Sequence, residues 1–152
     1  MAPSKQAKQA VTVSETRRTG SNKDAQGYWG KTASFSFRRY DADAPWALSR
    51  NKKPVVDSVF KNLHGFEQMI WTNIMQASGG RRHGTNNHDI PVSELTRDAI
   101  RRAETISLEE SELFSLRLQG DVRLWGIIEP ENGCFYVIWF DPEHKVYPIN
   151  RV

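Results

Sequence analysis

The last third of the chain limits the fold most strongly, because it contains three short apolar runs separated by tight-turn signals. The first run alternates apolar and polar side chains, whereas the third is apolar on both faces and therefore fits a strand inside a sheet. An Asn-Gly pair is the strongest short-range hairpin signal. This pattern predicts a three-stranded antiparallel meander over residues 114–118, 122–128 and 134–140, with turns at Gly120–Asp121 and Pro130–Gly133.

The segment before the meander predicts one strand and then a long helix. Phe35 and Phe37 alternate with polar residues, as in a strand with one buried face. Apolar residues then recur at three- and four-residue steps across residues 55–74, directly after a proline that can open a helix. We therefore predict one amphipathic helix of about 20 residues here, bent near Gly65.

A second helix follows a polar loop. Residues 79–89 contain many Gly, Asn, Arg and His residues and predict that loop. Ser93 is suited to be the N-cap of the next helix, whose apolar stripe runs from Leu95 to Ile106. The predicted element order is β-α-α-β-β-β, which describes an α+β fold with an antiparallel meander sheet and two helices packed on one face.

Composition divides the chain into a tail and one domain. Residues 1–31 show no hydrophobic period, and we predict that they form a disordered basic tail. They carry six basic and two acidic side chains, whereas residues 32–152 carry 15 basic and 16 acidic ones. We predict a single α+β domain over residues 32–152, in which any contact with nucleic acid depends on a local cluster of cations.

The cysteine content and the hydropathy of the chain indicate where it resides. Cys134 is the only cysteine, so no disulfide can form within the chain, and its apolar neighbours indicate a core thiol. The N-terminus lacks the apolar stretch of a secretory signal, and no run approaches the length of a membrane span. We therefore expect a cytoplasmic protein without membrane contact.

Two common kinds of site have no matching motif. No glycine-rich loop stands between a predicted strand and a predicted helix, so we expect no nucleotide cofactor. His83 and His88 share the polar loop, but no third metal ligand is evident and the chain has no cysteine pair for zinc. We expect no cofactor and no metal, and we interpret the two histidines as parts of a solvated loop.

Four side chains around the meander form the candidate site. Arg117 and Arg123 lie on neighbouring strands, each off the apolar face of its strand, and His144 and Tyr147 follow the third strand directly. Arginine holds phosphate with two parallel hydrogen bonds, and histidine carries protons near neutral pH. The set fits RNA cleavage by the 2′-hydroxyl, which needs a base, a cation on the scissile phosphate and an acid for the leaving 5′-oxygen.

The same residues are also typical of an ordinary surface. Strand arginines are often solvated or paired with nearby carboxylates, such as Glu112 or Glu129 here, and a histidine after a proline turn is often only exposed. From spacing alone, both interpretations stay open.

The element order and the sequence of residues 115–125 resemble the RelE/ParE superfamily of toxins from toxin–antitoxin systems. Ser-Leu-Arg-Leu followed by Asp-Val-Arg-Leu-Trp is similar to the arginine-rich hairpin of its ribosome-dependent endoribonucleases. The resemblance implies that Arg123 supports the scissile phosphate beside Arg117, and that His144 and Tyr147 are the C-terminal catalytic pair. In this chain two residues separate that pair, which is adjacent in the family.

The resemblance implies a metal-independent endoribonuclease in which His144 is the general base or acid and Tyr147 assists. Its partners would be a cognate antitoxin, which covers the cluster, and mRNA or the ribosome. Two other interpretations stay open. One is a non-catalytic protein of the same fold that inhibits a protein target, and the other is an interaction protein of phage or mobile-element origin whose tail binds the partner.

Overall fold

The computed structural model describes residues 27–77 and 87–147 of the chain, and these ranges contain five strands and three α-helices. The strands are β1 (Ser34–Ser36), β2 (His88–Pro91), β3 (Glu112–Arg117), β4 (Arg123–Ile128) and β5 (Cys134–Asp141). The helices are α1 (Lys53–Phe66), α2 (Trp71–Ala77) and α3 (Arg97–Thr105), with short 3-10 turns at Leu48–Arg50 and Val92–Glu94. None of these helices is long and apolar enough to cross a membrane.

The five strands form one mixed sheet in the order β1-β5-β4-β3-β2. β2 to β5 pair antiparallel, whereas β1 runs parallel to β5. The α+β class is therefore confirmed, and the three C-terminal strands pair antiparallel as predicted. The element order β-α-α-β-β-β and the purely antiparallel sheet are wrong, because β2 is an additional strand and β1 adds a parallel pair.

Helices cover both faces of the sheet, and each face has its own apolar core. α1 and α2 pack on one face and α3 packs on the other, so the predicted placement of both helices on one face is wrong. The sheet residues of the first core include Phe114, Leu116, Leu124, Phe135 and Phe140. Those of the second core include Ile90, Leu113, Trp125, Ile138 and Trp139.

The long helix predicted over residues 55–74 is interrupted between α1 and α2. The main-chain N–H of Gln68 donates to the Gly65 carbonyl, and that of Met69 donates to the Phe66 carbonyl, so α1 ends in tight turns. Ile70 then forms an antiparallel bridge with Thr32. An extended bridge residue cannot continue a helix, and this contact separates two helices that share one apolar period.

Two further local predictions differ from the structure. His88 and its neighbours pair with β3 as strand β2, although the sequence placed them at the end of a loop. The N-cap of α3 is Thr96 rather than Ser93, since the Thr96 hydroxyl accepts a hydrogen bond from the Ala99 N–H at 3.2 Å. Ser93 instead lies inside a 3-10 turn.

Among the described residues, Tyr28 already belongs to the packed domain, although the sequence placed the domain boundary at residue 32. Tyr28 is 4% exposed, and its ring meets that of Trp71 at a centroid distance of 5.8 Å. The main-chain N–H groups of Trp71 and Thr72 donate to carbonyls of residues 31 and 29. The remainder of the predicted tail, residues 1–26, lies outside the described residues.

Candidate functional site

Arg117 and Arg123 are directly opposite each other on β3 and β4. Arg123 lies two residues before Trp125, which belongs to the second core, so both arginines are on the face covered by α3. The Gly120 carbonyl in the intervening turn accepts from Arg117 Nε at 3.4 Å and from Arg123 Nη1 at 2.8 Å. One carbonyl oxygen therefore holds the two guanidinium groups side by side.

The environment of Arg123 is unusual for a strand arginine. Its side chain is half-buried, and the ion pairs among the described residues do not include it. Burial lowers the pKa of Arg123, and the neighbouring Arg117 lowers it further. The guanidinium remains charged at physiological pH. Two like charges that face each other across a strand pair repel, and an anion bound between them would relieve that repulsion.

The chain folds back over this end of the sheet after β5. The carboxylate of Asp141 is fully buried and accepts hydrogen bonds from the main-chain N–H groups of Lys145 and Val146. Thr96 at the start of α3 contacts the same loop, because its N–H donates to the Val146 carbonyl and its hydroxyl donates to the Lys145 carbonyl. These contacts fix the residues between Asp141 and Val146, including His144.

His144 lies beside the arginine pair in a constrained conformation. Its backbone φ is +61°, in the left-handed region that a residue with a β-carbon seldom adopts. Its side chain is 13% exposed, with Nε2 4.0 Å from Oδ1 of Asp121. Nδ1 is buried, and no hydrogen-bond partner lies within the described part of the chain. Strained residues of this kind gather at functional sites, where the surrounding structure holds them in place.

The electrostatics of the loop favour a neutral imidazole at His144. Burial lowers the pKa of His144, and the nearby Arg123 lowers it as well. The carboxylates of Asp141 and Asp121 and a backbone hydrogen bond with Tyr147 act in the opposite direction but do not reverse the shift. A neutral imidazole can accept a proton near pH 7, which is the requirement for a general base.

Tyr147 is on the same face as the other candidates, but its ring packs into the second core. The ring lies against Trp125 at a centroid distance of 6.2 Å and an interplanar angle of 54°. Tyr147 is half-buried there, three residues beyond His144. The structure thus brings Arg117, Arg123 and His144 together and places Tyr147 beneath the loop that carries His144.

Two aspartates shape this site and were not among the residues predicted from the sequence. Asp121 approaches His144 from the turn between the arginines, and Asp141 organises the loop. Asp141 had a local signal, because an aspartate before a proline commonly accepts from main-chain N–H groups a few residues later. Asp121 had none beyond its place in a turn. Glu112 was also considered from the sequence. It is the first residue of β3, whereas Arg117 is the last.

A second arginine on the same face, Arg102, forms an ion pair with a buried carboxylate. Arg102 on α3 donates from Nε and Nη2 to the two oxygens of Asp41, at 2.8 and 2.7 Å. The Trp139 indole N–H donates to the same carboxylate at 2.9 Å. Burial acts to raise the pKa of Asp41, but the hydrogen bonds from Arg102 and Trp139 outweigh it, and the pKa is lowered. Here every charge has a matched partner.

Two histidines were considered as metal ligands from the sequence. His88 lies on β2 opposite Ser115, and His83 lies outside the described residues. Within residues 27–77 and 87–147, no group of three or more His, Cys, Asp or Glu side chains is arranged to hold a metal ion.

Comparison of the chain with known protein families, with curated proteins and with solved structures gave no significant match.

Proposed function

We propose that this protein is a toxin-type endoribonuclease that cleaves RNA without a metal ion, by attack of the 2′-hydroxyl on the adjacent phosphate. One observation carries the proposal. Two arginines face each other across neighbouring strands beside a half-buried histidine whose pKa is lowered, and Arg123 belongs to none of the ion pairs of the described residues.

The arginine pair supplies the phosphate-binding part of the site. A phosphodiester has two non-bridging oxygens, and a guanidinium forms parallel hydrogen bonds to such oxygens. The residues of the domain carry almost balanced charge, so attraction to RNA depends on this local concentration of positive charge. Both guanidiniums are pre-oriented by the Gly120 carbonyl, which lowers the conformational entropy lost on binding.

His144 supplies the base. The neutral imidazole takes the proton of the 2′-hydroxyl, and the 2′-oxygen forms a bond to phosphorus while the bond from phosphorus to the 5′-oxygen breaks. The products are a 2′,3′-cyclic phosphate and a 5′-hydroxyl, whose oxygen takes its proton from water. Arg117 and Arg123 stabilise the negative charge that grows on the phosphoryl oxygens in the transition state.

Tyr147 acts mainly as a positioning residue in this proposal. Its ring is held against Trp125, and its backbone lies close enough to the His144 imidazole to act on the pKa of that group. Both contacts fix the loop in which His144 adopts its left-handed backbone conformation. The phenol therefore assists by holding the imidazole in place.

A cognate antitoxin is the proposed protein partner. It would neutralise the enzyme by presenting an acidic side chain to Arg117 and Arg123, because a carboxylate satisfies a guanidinium with the same two hydrogen bonds as a phosphate. Co-expression with the antitoxin would then relieve any growth arrest that the protein causes.

Induced expression with mapping of RNA 5′ ends tests the proposed function. Wild type is compared with Arg123→Ala and His144→Ala, and with Arg38→Ala as an exposed arginine outside the site. We expect growth arrest and new 5′-hydroxyl ends in the wild type and in Arg38→Ala, and neither in the two site variants.

Other outcomes contradict the proposal. Growth arrest without new RNA ends would indicate a protein target in place of RNA. Cleavage that persists in His144→Ala would exclude His144 as the base.

A further inference from the structure

A cavity of about 670 Å³ lies next to His144, which is one of its lining residues. Its wall includes Trp46 and Pro45 from the loop before α1, Pro142 from the loop after β5, and the first turn of α3. His144 lines this cavity and also lies 4.0 Å from Asp121 in the turn between the two arginines. The imidazole therefore links the proposed phosphate site to the cavity.

The charged residues of the cavity leave two guanidiniums without a matched carboxylate. The two acidic side chains in its wall have other partners: Asp98 pairs with Arg101 at 3.5 Å, and Glu143 pairs at 3.6 Å with Lys145, which is also in the wall. Arg50 and Arg97 are exposed and occur in none of the ion pairs among the described residues. The cavity can thus attract an anionic ligand.

Trp46 supplies an aromatic wall and an unused hydrogen-bond donor. It is 6% exposed and meets Trp139 edge to face at a centroid distance of 5.4 Å. Its indole Nε1 is buried, and no acceptor in the described part of the chain satisfies it. The contribution of Trp46 to the cavity is therefore its ring, which lies in the wall beside Pro45.

Asn51 adds a fixed acceptor to the same wall. Its side-chain N–H₂ donates to the carbonyls of Ala47 and Leu48, at 3.1 and 3.5 Å, so the amide oxygen points the other way. An amide oxygen can accept from an N–H on the edge of a nucleobase. The cavity combines this polar group with apolar walls and peripheral cations, which are the requirements for one nucleoside of a single strand.

We propose that this cavity binds the nucleoside next to the scissile phosphate, with the base against Trp46 and the flanking phosphates on Arg50 and Arg97. The proposal rests on the proposed function, since it places the reacting phosphate between His144 and the arginine pair. The cavity then determines which base precedes or follows the cut.

Binding of an uncleavable RNA tests the cavity separately from the chemistry. The probe is a short single-stranded RNA with every 2′-hydroxyl methylated, which removes the attacking group. Its Kd is measured by fluorescence anisotropy at several salt concentrations with the full chain and with Arg50→Ala and Arg97→Ala. Arg38→Ala and Lys61→Ala are matched controls, because both residues are exposed and neither lines the cavity.

We expect each cavity variant to bind about 10-fold more weakly, as is typical for the loss of a charge-assisted hydrogen bond. The slope of log K against log salt should fall by roughly 0.7 for each arginine removed. The controls should bind within about twofold of the wild type. In the wild type, the NMR signal of the Trp46 indole N–H should shift when the RNA is added.

The outcomes separate this inference from the proposed function. If the variants bind methylated RNA as tightly as wild type while unmodified RNA is still cut, the cavity assignment is wrong and the nuclease stands. If binding depends on Arg50 and Arg97 but no RNA is cut, the cavity assignment stands and the nuclease is wrong. Weak binding that is equal in all variants and controls would also overturn the cavity assignment.

Discussion

Two sites on the α3 face of the sheet contain arginines, but the arginines have different surroundings in each. At one end of the face, Arg102 and Asp41 form a bidentate pair that Trp139 completes. At the other, Arg117 and Arg123 face each other and share one carbonyl oxygen. The first arrangement satisfies its charges internally and joins a loop to a helix. The second holds two guanidiniums side by side, with Asp141 across from Arg123 on the next strand.

The difference teaches how to separate structural from functional charge in a protein from its own contacts. A buried carboxylate with full hydrogen bonding is explained by the structure alone. Two like charges held side by side cost stability and need another explanation, such as binding. Stability and activity should therefore respond in opposite ways when the two sites are altered.

The largest expected effect comes from replacing Arg123. Arg123→Met keeps the length of the side chain but removes the guanidinium, so RNA cleavage should fall by about 10²- to 10³-fold as transition-state stabilisation is lost. The free energy of unfolding should stay within about 0.5 kcal/mol of the wild type, because the repulsion from Arg117 and the attraction to Asp121 and Asp141 are lost together. Single-turnover cleavage and urea unfolding measure the two quantities.

Arg102→Met is the matched change at the ion pair between Arg102 and Asp41. It tests our interpretation that this pair contributes to stability and not to cleavage. Removing the guanidinium leaves the 5%-exposed carboxylate of Asp41 with only the Trp139 indole as a side-chain donor. We expect the free energy of unfolding to fall by about 3 kcal/mol, while RNA cleavage per folded molecule stays near that of the wild type. Equal destabilisation by the two Met variants would remove the distinction between the sites.

Low pH should weaken the ion pair between Arg102 and Asp41. The pKa of Asp41 is lowered in the folded protein, so its contribution to stability is present above the unfolded-state pKa of about 3.9 and is lost as pH falls through the folded value. The difference in unfolding free energy between wild type and Arg102→Met should therefore shrink below about pH 4. A difference that does not shrink as the pH falls through the acidic range would exclude this linkage.

Local signals explain why the C-terminal meander was predictable. Gly120 and Gly133 have φ values of +56° and +75°, as the turns require, and both occur in recognisable turn sequences. The interior position of β5 followed from its apolar character on both faces. The same feature also required cover on both faces, which the prediction of two helices on one face did not take into account.

The elements that the sequence did not predict depend on distant partners. β2 has four residues, too few for a reliable alternation, and it is defined by its pairing with β3. The break between α1 and α2 depends on the bridge from Ile70 to Thr32. Such contacts override local periodicity and leave little trace in the sequence.

The candidate site was predictable only where a register could be inferred. The short turn between the two runs predicted that Arg117 and Arg123 lie on neighbouring antiparallel strands, and the structure places them directly opposite each other. Trp46 and Arg50 of the neighbouring cavity come from outside the meander. No spacing rule connects those residues with His144, because the loop before α1 meets the loop after β5 only in the folded chain.

The titration of His144 tests whether the charge of Arg123 acts on the imidazole while that of Arg102 does not. Burial and the charge of Arg123 lower its pKa, so its NMR titration midpoint should lie below the usual value of about 6.5, and in cleavage assays the rate should rise with pH through that midpoint. Arg123→Met should move the midpoint upward, whereas Arg102→Met should leave it unchanged. An unchanged midpoint in Arg123→Met would show that the guanidinium does not act on the imidazole.

The smallest expected effect is that of Tyr147→Phe, which removes only the phenolic hydroxyl. The ring contact with Trp125 and the approach of the Tyr147 backbone to His144 remain, so stability should change by less than about 0.5 kcal/mol. Cleavage should fall by less than about 10-fold if Tyr147 positions the loop, whereas loss of a proton donor would lower it by roughly 10²-fold or more. Tyr147→Ala should act differently, because losing the ring frees the loop and reduces both stability and cleavage. A large loss in Tyr147→Phe with unchanged stability would make the phenol the acid for the 5′-oxygen and place its hydroxyl, rather than water, in the reaction.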